Sequence, residues 1–209
     1  MIHRLLAWTA VLLALSGPAL AESDFEQEIR LFQEGLDIGP GAVVADIGAG
    51  DGTFAVALAG VVGPTGRVIA TEIEAGKRDT IRAAGEAAGV ALDVREARIE
   101  GTGLEPACCD AIYLRDVYHH LTSPKTFTKS LFDSIRPGGR LMIVDFPPAW
   151  LLSFWTPKGV PEDRGGHGIR PPVLIGELEA AGFRAIRTID PWPSANFVTH
   201  TYGVVFERP

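Results

Sequence analysis

Short runs of consecutive apolar residues punctuate the chain, among them Val43-Val44-Ala45, Val68-Ile69-Ala70, Ala111-Ile112-Tyr113-Leu114 and Leu141-Met142-Ile143-Val144. A strand covered on both faces reads this way, without the polar alternation of a half-exposed strand. Between the runs lie segments whose apolar residues recur three and four positions apart, as in an amphipathic helix. The pattern predicts a helix from about Asp24, capped by Ser23 or Asp24, and further helices over 51–59, 75–88, 125–135 and 171–181. It predicts strands over 42–47, 67–71, 90–95, 110–114, 140–145, 183–189 and 197–206. Gly89 and Gly182 close two of the helices, and Ser123-Pro124 opens another.

Strands that alternate with helices imply a parallel sheet covered on both faces. The last two strands break the alternation. They are separated only by Asp190-Pro191-Trp192-Pro193-Ser194, which predicts an antiparallel hairpin at the sheet edge. The expected fold is therefore α/β: a Rossmann-like seven-stranded sheet, mostly parallel, with an antiparallel C-terminal strand and helices on both faces. At 209 residues one domain is expected.

Chemistry concentrates where the first strand ends. Asp46-Ile47-Gly48-Ala49-Gly50-Asp51-Gly52-Thr53 is a glycine-rich turn that opens a helix, and the next strand ends in Glu72. Glycines allow a sharp turn and a close backbone approach to a ligand, and free N–H groups at a helix start can face an anionic group. Glu72 is placed to accept hydrogen bonds from ribose hydroxyls. The dinucleotide fingerprint wants a third glycine where Thr53 stands.

The spacing Gly48-x-Gly50-x-Gly52, preceded by Asp46, resembles the first motif of the class I S-adenosylmethionine-dependent methyltransferases. Further pieces resemble that family in the same order: Arg115-Asp116-Val117-Tyr118-His119-His120-Leu121 after the fourth strand, Pro137-Gly138-Gly139 before the fifth, and Gly176 to Phe183 as the last helix and its Gly-Phe exit. The resemblance implies a seven-stranded methyltransferase sheet, S-adenosyl-L-methionine as cofactor, and methyl transfer to a small-molecule acceptor. It implies Asp46, Gly48, Gly50, Asp51, Gly52, Glu72, Arg115 and Asp116 as cofactor-binding residues; Asp51 reads equally as a helix cap. Family members often carry an acid after strand three that meets the adenine amino group. Here that region is Glu96-Ala97-Arg98-Ile99-Glu100, where Glu96, Glu100 or a backbone N–H stands in.

Methyl transfer from a sulfonium needs alignment more than activation, so no obligatory triad is to be found. The candidate catalytic residues are His119, Tyr118 and Asp145, at the carboxyl ends of strands four and five, where open α/β sheets place their ligands. Adjacent histidines seldom ligate one ion, and no cysteine or acid lies at ligand spacing, so no metal site is expected. His167 lies in a Pro-, Trp- and Gly-rich loop, 147–170, that would cover the acceptor. In that loop Trp150, Phe154 and Trp155 form either an apolar lid or a patch for the sheet or a membrane surface.

The net charge of −7 and the absence of a Lys/Arg block argue against a nucleic-acid partner. The N-terminus has the form of a secretory signal: a basic start at His3-Arg4, an apolar core over 5–15, and Ala19-Leu20-Ala21 for cleavage after Ala21. Residues 1–21 are thus a signal peptide and 22–209 the exported domain, periplasmic or secreted, with an uncleaved membrane anchor as the alternative. Cys108 and Cys109 are adjacent and unsuited to a structural disulfide. They read as small apolar residues at a strand start or as a soft-metal pair. An exported non-catalytic module that binds a nucleoside, and a nicotinamide oxidoreductase, are the competing functions.

Overall fold

The computed structural model describes residues 22–148, 156, 158–161, 164, 166–194 and 200–209. The expected signal peptide, and Trp150, Phe154 and Trp155 with the lid or membrane patch assigned to them, lie outside these residues. Among the described residues no helix is long and apolar enough to cross a membrane.

The chain forms α1 (Asp24–Leu36), β1 (Val43–Ile47), α2 (Thr53–Val62), β2 (Arg67–Glu72), α3 (Ala75–Ala88), β3 (Leu92–Glu96) and β4 (Cys109–Arg115). A 3-10 turn (Tyr118–His120), α4 (Pro124–Ser134), β5 (Ile135–Asp145), α5 (Pro171–Ala180), β6 (Arg184–Ile189) and β7 (Tyr202–Glu207) follow. One seven-stranded sheet has the order β3-β2-β1-β4-β5-β7-β6. Strands β1 to β5 are parallel, and β7 runs antiparallel to both β5 and β6. The expected fold class is present.

Local signals set most boundaries. Ser23 caps α1 in a reciprocal capping box with Glu26, and Gly89 closes α3 in the left-handed conformation. Helix α2 begins at Thr53 rather than Asp51, because Gly52 is its left-handed N-cap. The Pro137-Gly138-Gly139 turn is absorbed into β5 as an irregularity. Opposite it, Cys109 pairs with Ile135 while Ala111 pairs with Arg140.

The last two strands pair antiparallel at the sheet edge, as expected. β7 starts at Tyr202, beyond the predicted 197, and inserts between β5 and β6. The connection is anchored by Trp192, whose N–H donates to the Thr201 carbonyl at 2.8 Å. Its buried ring lies against Phe32 and so close to Gly203 that a Cβ there would stand 2.7 Å from it. β6, left at the edge, is mostly exposed.

Alternation along the strands splits the core in two. Ala45, Ile47, Ile112, Leu114, Leu141 and Ile143 share one cluster with α4 and α5 residues such as Leu131 and Leu178. Val44, Ala111, Tyr113, Met142 and Val144 share the other with Phe32 of α1, Leu58 of α2 and Ile81 of α3. This double cover explains why the central strands read as unbroken apolar runs.

Candidate active site

The carboxyl ends of β1, β2 and β4 open into a cleft of about 420 Å³. Gly48, Gly50, Glu72, Ile73, Arg115, Asp116, Val117 and His120 are among its lining residues. A second hollow, about 310 Å³, is lined by Asp46, Asp51, Phe54 and Tyr113, with Gly48, Gly50 and Arg115 shared. The predicted cofactor residues other than Gly52 thus line two hollows that share Gly48, Gly50 and Arg115.

The turn's glycines have different duties. Gly48 (φ +77°) sits so close to Val117 that a Cβ would lie 2.6 Å from it, whereas nothing stands within 4 Å of a Cβ at Gly50 (φ +60°). Gly50 therefore borders open space, while Gly52 backs onto Ile81 of α3. Several of the turn's N–H groups are engaged within the protein. Gly48 and Ala49 donate to the Thr71 carbonyl, Gly52 to the Ala49 carbonyl, Gly50 to Glu72 and Thr53 to the Asp51 carboxylate. At Gly50 the turn offers room for a ligand.

Glu72 is 8 % exposed and accepts from Gly50 N–H (3.1 Å) and Ile73 N–H (2.8 Å). Asp51 is held below the usual carboxylate range by its bond from Thr53. Its observed role is to satisfy the α2 start. Burial pushes the Asp46 carboxyl up to about 7; the Tyr113 hydroxyl beside it opposes this, and Glu72 adds to it. Neither Glu96 nor Glu100 lines the cleft beyond β3; Ala97, Arg98 and Ile99 do.

Arg115 bonds Glu28 of α1 (2.9 Å), Asp116 (2.6 Å) and Ser194 (3.2 Å), and its guanidinium lies over the Phe54 ring. Glu28 is 2 % exposed and was not singled out in the sequence, because a glutamate in an amphipathic helix reads as surface. Asp116 leaves β4 with φ +57°, a conformation that Asp tolerates better than most residues. Burial raises its pKa, with Arg115 opposing.

The three candidate catalytic residues part ways. Tyr118 is fully buried, and its hydroxyl donates to Glu177 of α5 at 2.6 Å. It does not line the cleft, and its assignment to catalysis is corrected: it ties the 3-10 turn to α5. Burial and the Glu177 charge push its pKa far up. Arg164, 0 % exposed, completes this tie by donating to the Tyr118 carbonyl (2.9 Å) and to Glu177 (2.8 Å).

His119 and Asp145 stay together. Asp145 is 0 % exposed and meets His119 Nδ1 at 2.8 Å. It also accepts from the backbone N–H groups of His119 (3.1 Å) and Phe146 (2.8 Å). A carboxylate only accepts, so His119 Nδ1 carries a proton. Asp145 is spent on holding His119 and is a positioning residue. The His119 ring packs on His120, Phe146 and His167, with centroids 4.0, 4.7 and 4.9 Å away. Burial lowers the pKa of His120 to about 4 and lowers that of His167, with neighbouring histidines adding to each.

A family model described as a methyltransferase domain matches residues 45–143. None of the curated proteins matches the chain. Solved structures share the fold at low sequence identity. A SAM-dependent methyltransferase from Aquifex aeolicus superposes with a TM-score of 0.66 at 20 % identity, over 88 % of this chain and 98 % of its own. One from Methanosarcina mazei gives 0.65 at 13 %, over 82 % and 94 %. The [4+2]-cyclase SpnF gives 0.70 at 13 %, over 88 % and 81 %, so this fold also serves a different reaction.

Proposed function

We propose that the protein transfers a methyl group from S-adenosyl-L-methionine to a small-molecule acceptor, a reading supported by the match of residues 45–143 to a methyltransferase-domain model and by the order of the seven-stranded sheet. The observation that carries this reading is the turn at Gly50, whose bare backbone borders the cleft while Glu72 lines the same cleft. A nucleoside fits such a wall: the Glu72 carboxylate has acceptor capacity left for a ribose diol. The N–H groups of Gly48, Ala49, Gly50 and Gly52 are taken up within the protein. Thr53 stands where the dinucleotide fingerprint has its third glycine, which argues for a phosphate-free nucleoside cofactor over a nicotinamide dinucleotide.

Gly48, Gly50, Glu72, Arg115 and Asp116 would hold the cofactor, with Ala97 and Ile99 flanking the base. Bound there, S-adenosyl-L-methionine supplies an already activated methyl group, so the protein's contribution is alignment and exclusion of water. His120, at the cleft wall beside His119, marks the polar end where an acceptor's nucleophile would be received.

Calorimetric titration with S-adenosylmethionine and S-adenosylhomocysteine tests the cofactor site. Micromolar binding of both is expected, and binding of neither would overturn the reading. Transfer of labelled methyl to fractionated small-molecule extracts separates an enzyme from a module that only binds the nucleoside. The pattern of residues 1–21 supports export, and a tagged chain recovered from the periplasm or medium, shortened after Ala21, is the corresponding result.

A further inference from the structure

Three imidazoles meet beside the cleft. His119 and His120 belong to the 3-10 turn after β4, and His167 comes from the segment before α5. One ring nitrogen from each can be chosen so that all three lie within 4.8 Å of one another. Their surroundings differ from those of chance neighbours on a surface. Asp145 takes His119 Nδ1 and so leaves Nε2 as its ligand atom, the carboxylate–histidine arrangement that orients metal-binding imidazoles. Nδ1 of His167 is buried and has no hydrogen-bond partner among the described residues.

The segment is shaped to deliver His167. Gly166 and Gly168 flank it with φ of +127° and +119°. At Gly168 a Cβ would lie 2.7 Å from the Phe146 carbonyl oxygen, so only glycine lets the chain press against the exit of β5. Ile169 N–H donates to that same carbonyl at 2.8 Å, and Tyr202 donates to the Ile169 carbonyl at 2.7 Å. Both sides of the cluster are therefore anchored to the sheet.

We propose that His119, His120 and His167 bind one divalent transition-metal ion, with Asp145 orienting His119. An all-imidazole set suits zinc and its neighbours rather than magnesium or calcium. Metal–nitrogen bonds of about 2.0–2.1 Å in a tetrahedron put ligand nitrogens about 3.3 Å apart. The three rings need only a modest inward turn to reach that spacing, and His120 is exposed enough to make it. Three protein ligands leave a position for water or for a ligand in the cleft that His120 lines. Sequence spacing misses this site, because the third ligand arrives from a distant loop.

The test uses the full chain without a histidine tag, stripped of metal and titrated with Zn²⁺ and Co²⁺ in the absence of any cofactor. One equivalent should bind, and Co²⁺ should give the visible absorption of a low-coordinate nitrogen-ligated ion. His120→Gln and His167→Gln should each weaken binding by at least about tenfold with unchanged far-UV circular dichroism, and Asp145→Asn by about 10–100-fold. No stoichiometric binding, or wild-type affinity in either His120→Gln or His167→Gln, would overturn the proposal. Since no cofactor is present, this outcome is separate from that of the S-adenosylmethionine titration.

Discussion

Asp145 holds His119 at two points, the ring Nδ1 at 2.8 Å and the backbone N–H at 3.1 Å, from a position with no solvent exposure. The same carboxylate accepts from Phe146 N–H at 2.8 Å. One side chain thus fixes both the exit of β5 and the 3-10 turn that carries His119 and His120. Its removal has a consequence for stability apart from any chemistry. Asp145→Ala strands three donors, and each stranded buried donor costs about 1–3 kcal/mol. A loss of about 3 kcal/mol or more in urea denaturation is expected, and a loss below about 1 kcal/mol would show that the turn stands without this carboxylate.

Glu72 belongs to both the fold and the candidate cofactor site, since it accepts from Gly50 and Ile73 while lining the cleft. Replacing it with Ala should weaken S-adenosylhomocysteine binding by about 1–3 kcal/mol, the cost of an unpaired polar contact. Calorimetry measures this directly. Unchanged affinity would remove Glu72 from the site.

Gly168→Ala tests the loop independently of any ligand. The added Cβ would meet the Phe146 carbonyl oxygen at 2.7 Å, at a φ of +119° that side chains rarely adopt. Strain of about 1–3 kcal/mol follows, and the segment should lift from β5. The expected result is a lower melting temperature together with faster amide exchange at Ile169, whose N–H bonds that carbonyl. Protection equal to that of the unaltered protein at Ile169 would refute it.

Local chemistry explains what was legible beforehand. Gly89 ends α3 where a left-handed residue must, and the Gly48-x-Gly50-x-Gly52 turn lies where β1 meets α2. The partners of Arg115 and Tyr118 were not legible, because Glu28 lies 87 residues from the first and Glu177 59 residues from the second. On a 3-10 turn neighbouring side chains diverge by about a third of a turn. Tyr118 consequently enters the core towards α5, while His120 lines the cleft. Arg164 was not singled out in the sequence, since it is 0 % exposed only through its bonds to Tyr118 and Glu177, two elements the loop meets when folded. The same folding brings His167 to His119.

Asp46 gives the fold a pH dependence opposite in sign to that of most carboxylates. It is 3 % exposed, and burial lifts its pKa from 3.8 to about 7. Between these values the folded protein keeps a proton that the unfolded chain has lost. Stability contributed by this group is therefore present below about pH 4 and declines as pH rises towards 7, by at most about 4 kcal/mol. Asp46→Asn cannot ionise, so its unfolding free energy should fall less across that window and exceed that of the unaltered protein near pH 7. Urea midpoints at pH 5, 6 and 7 without ligand, for the two proteins side by side, measure the difference. Parallel slopes would mean that Asp46 is ionised in the folded state throughout, sharing its charge with Arg115 instead of carrying a proton.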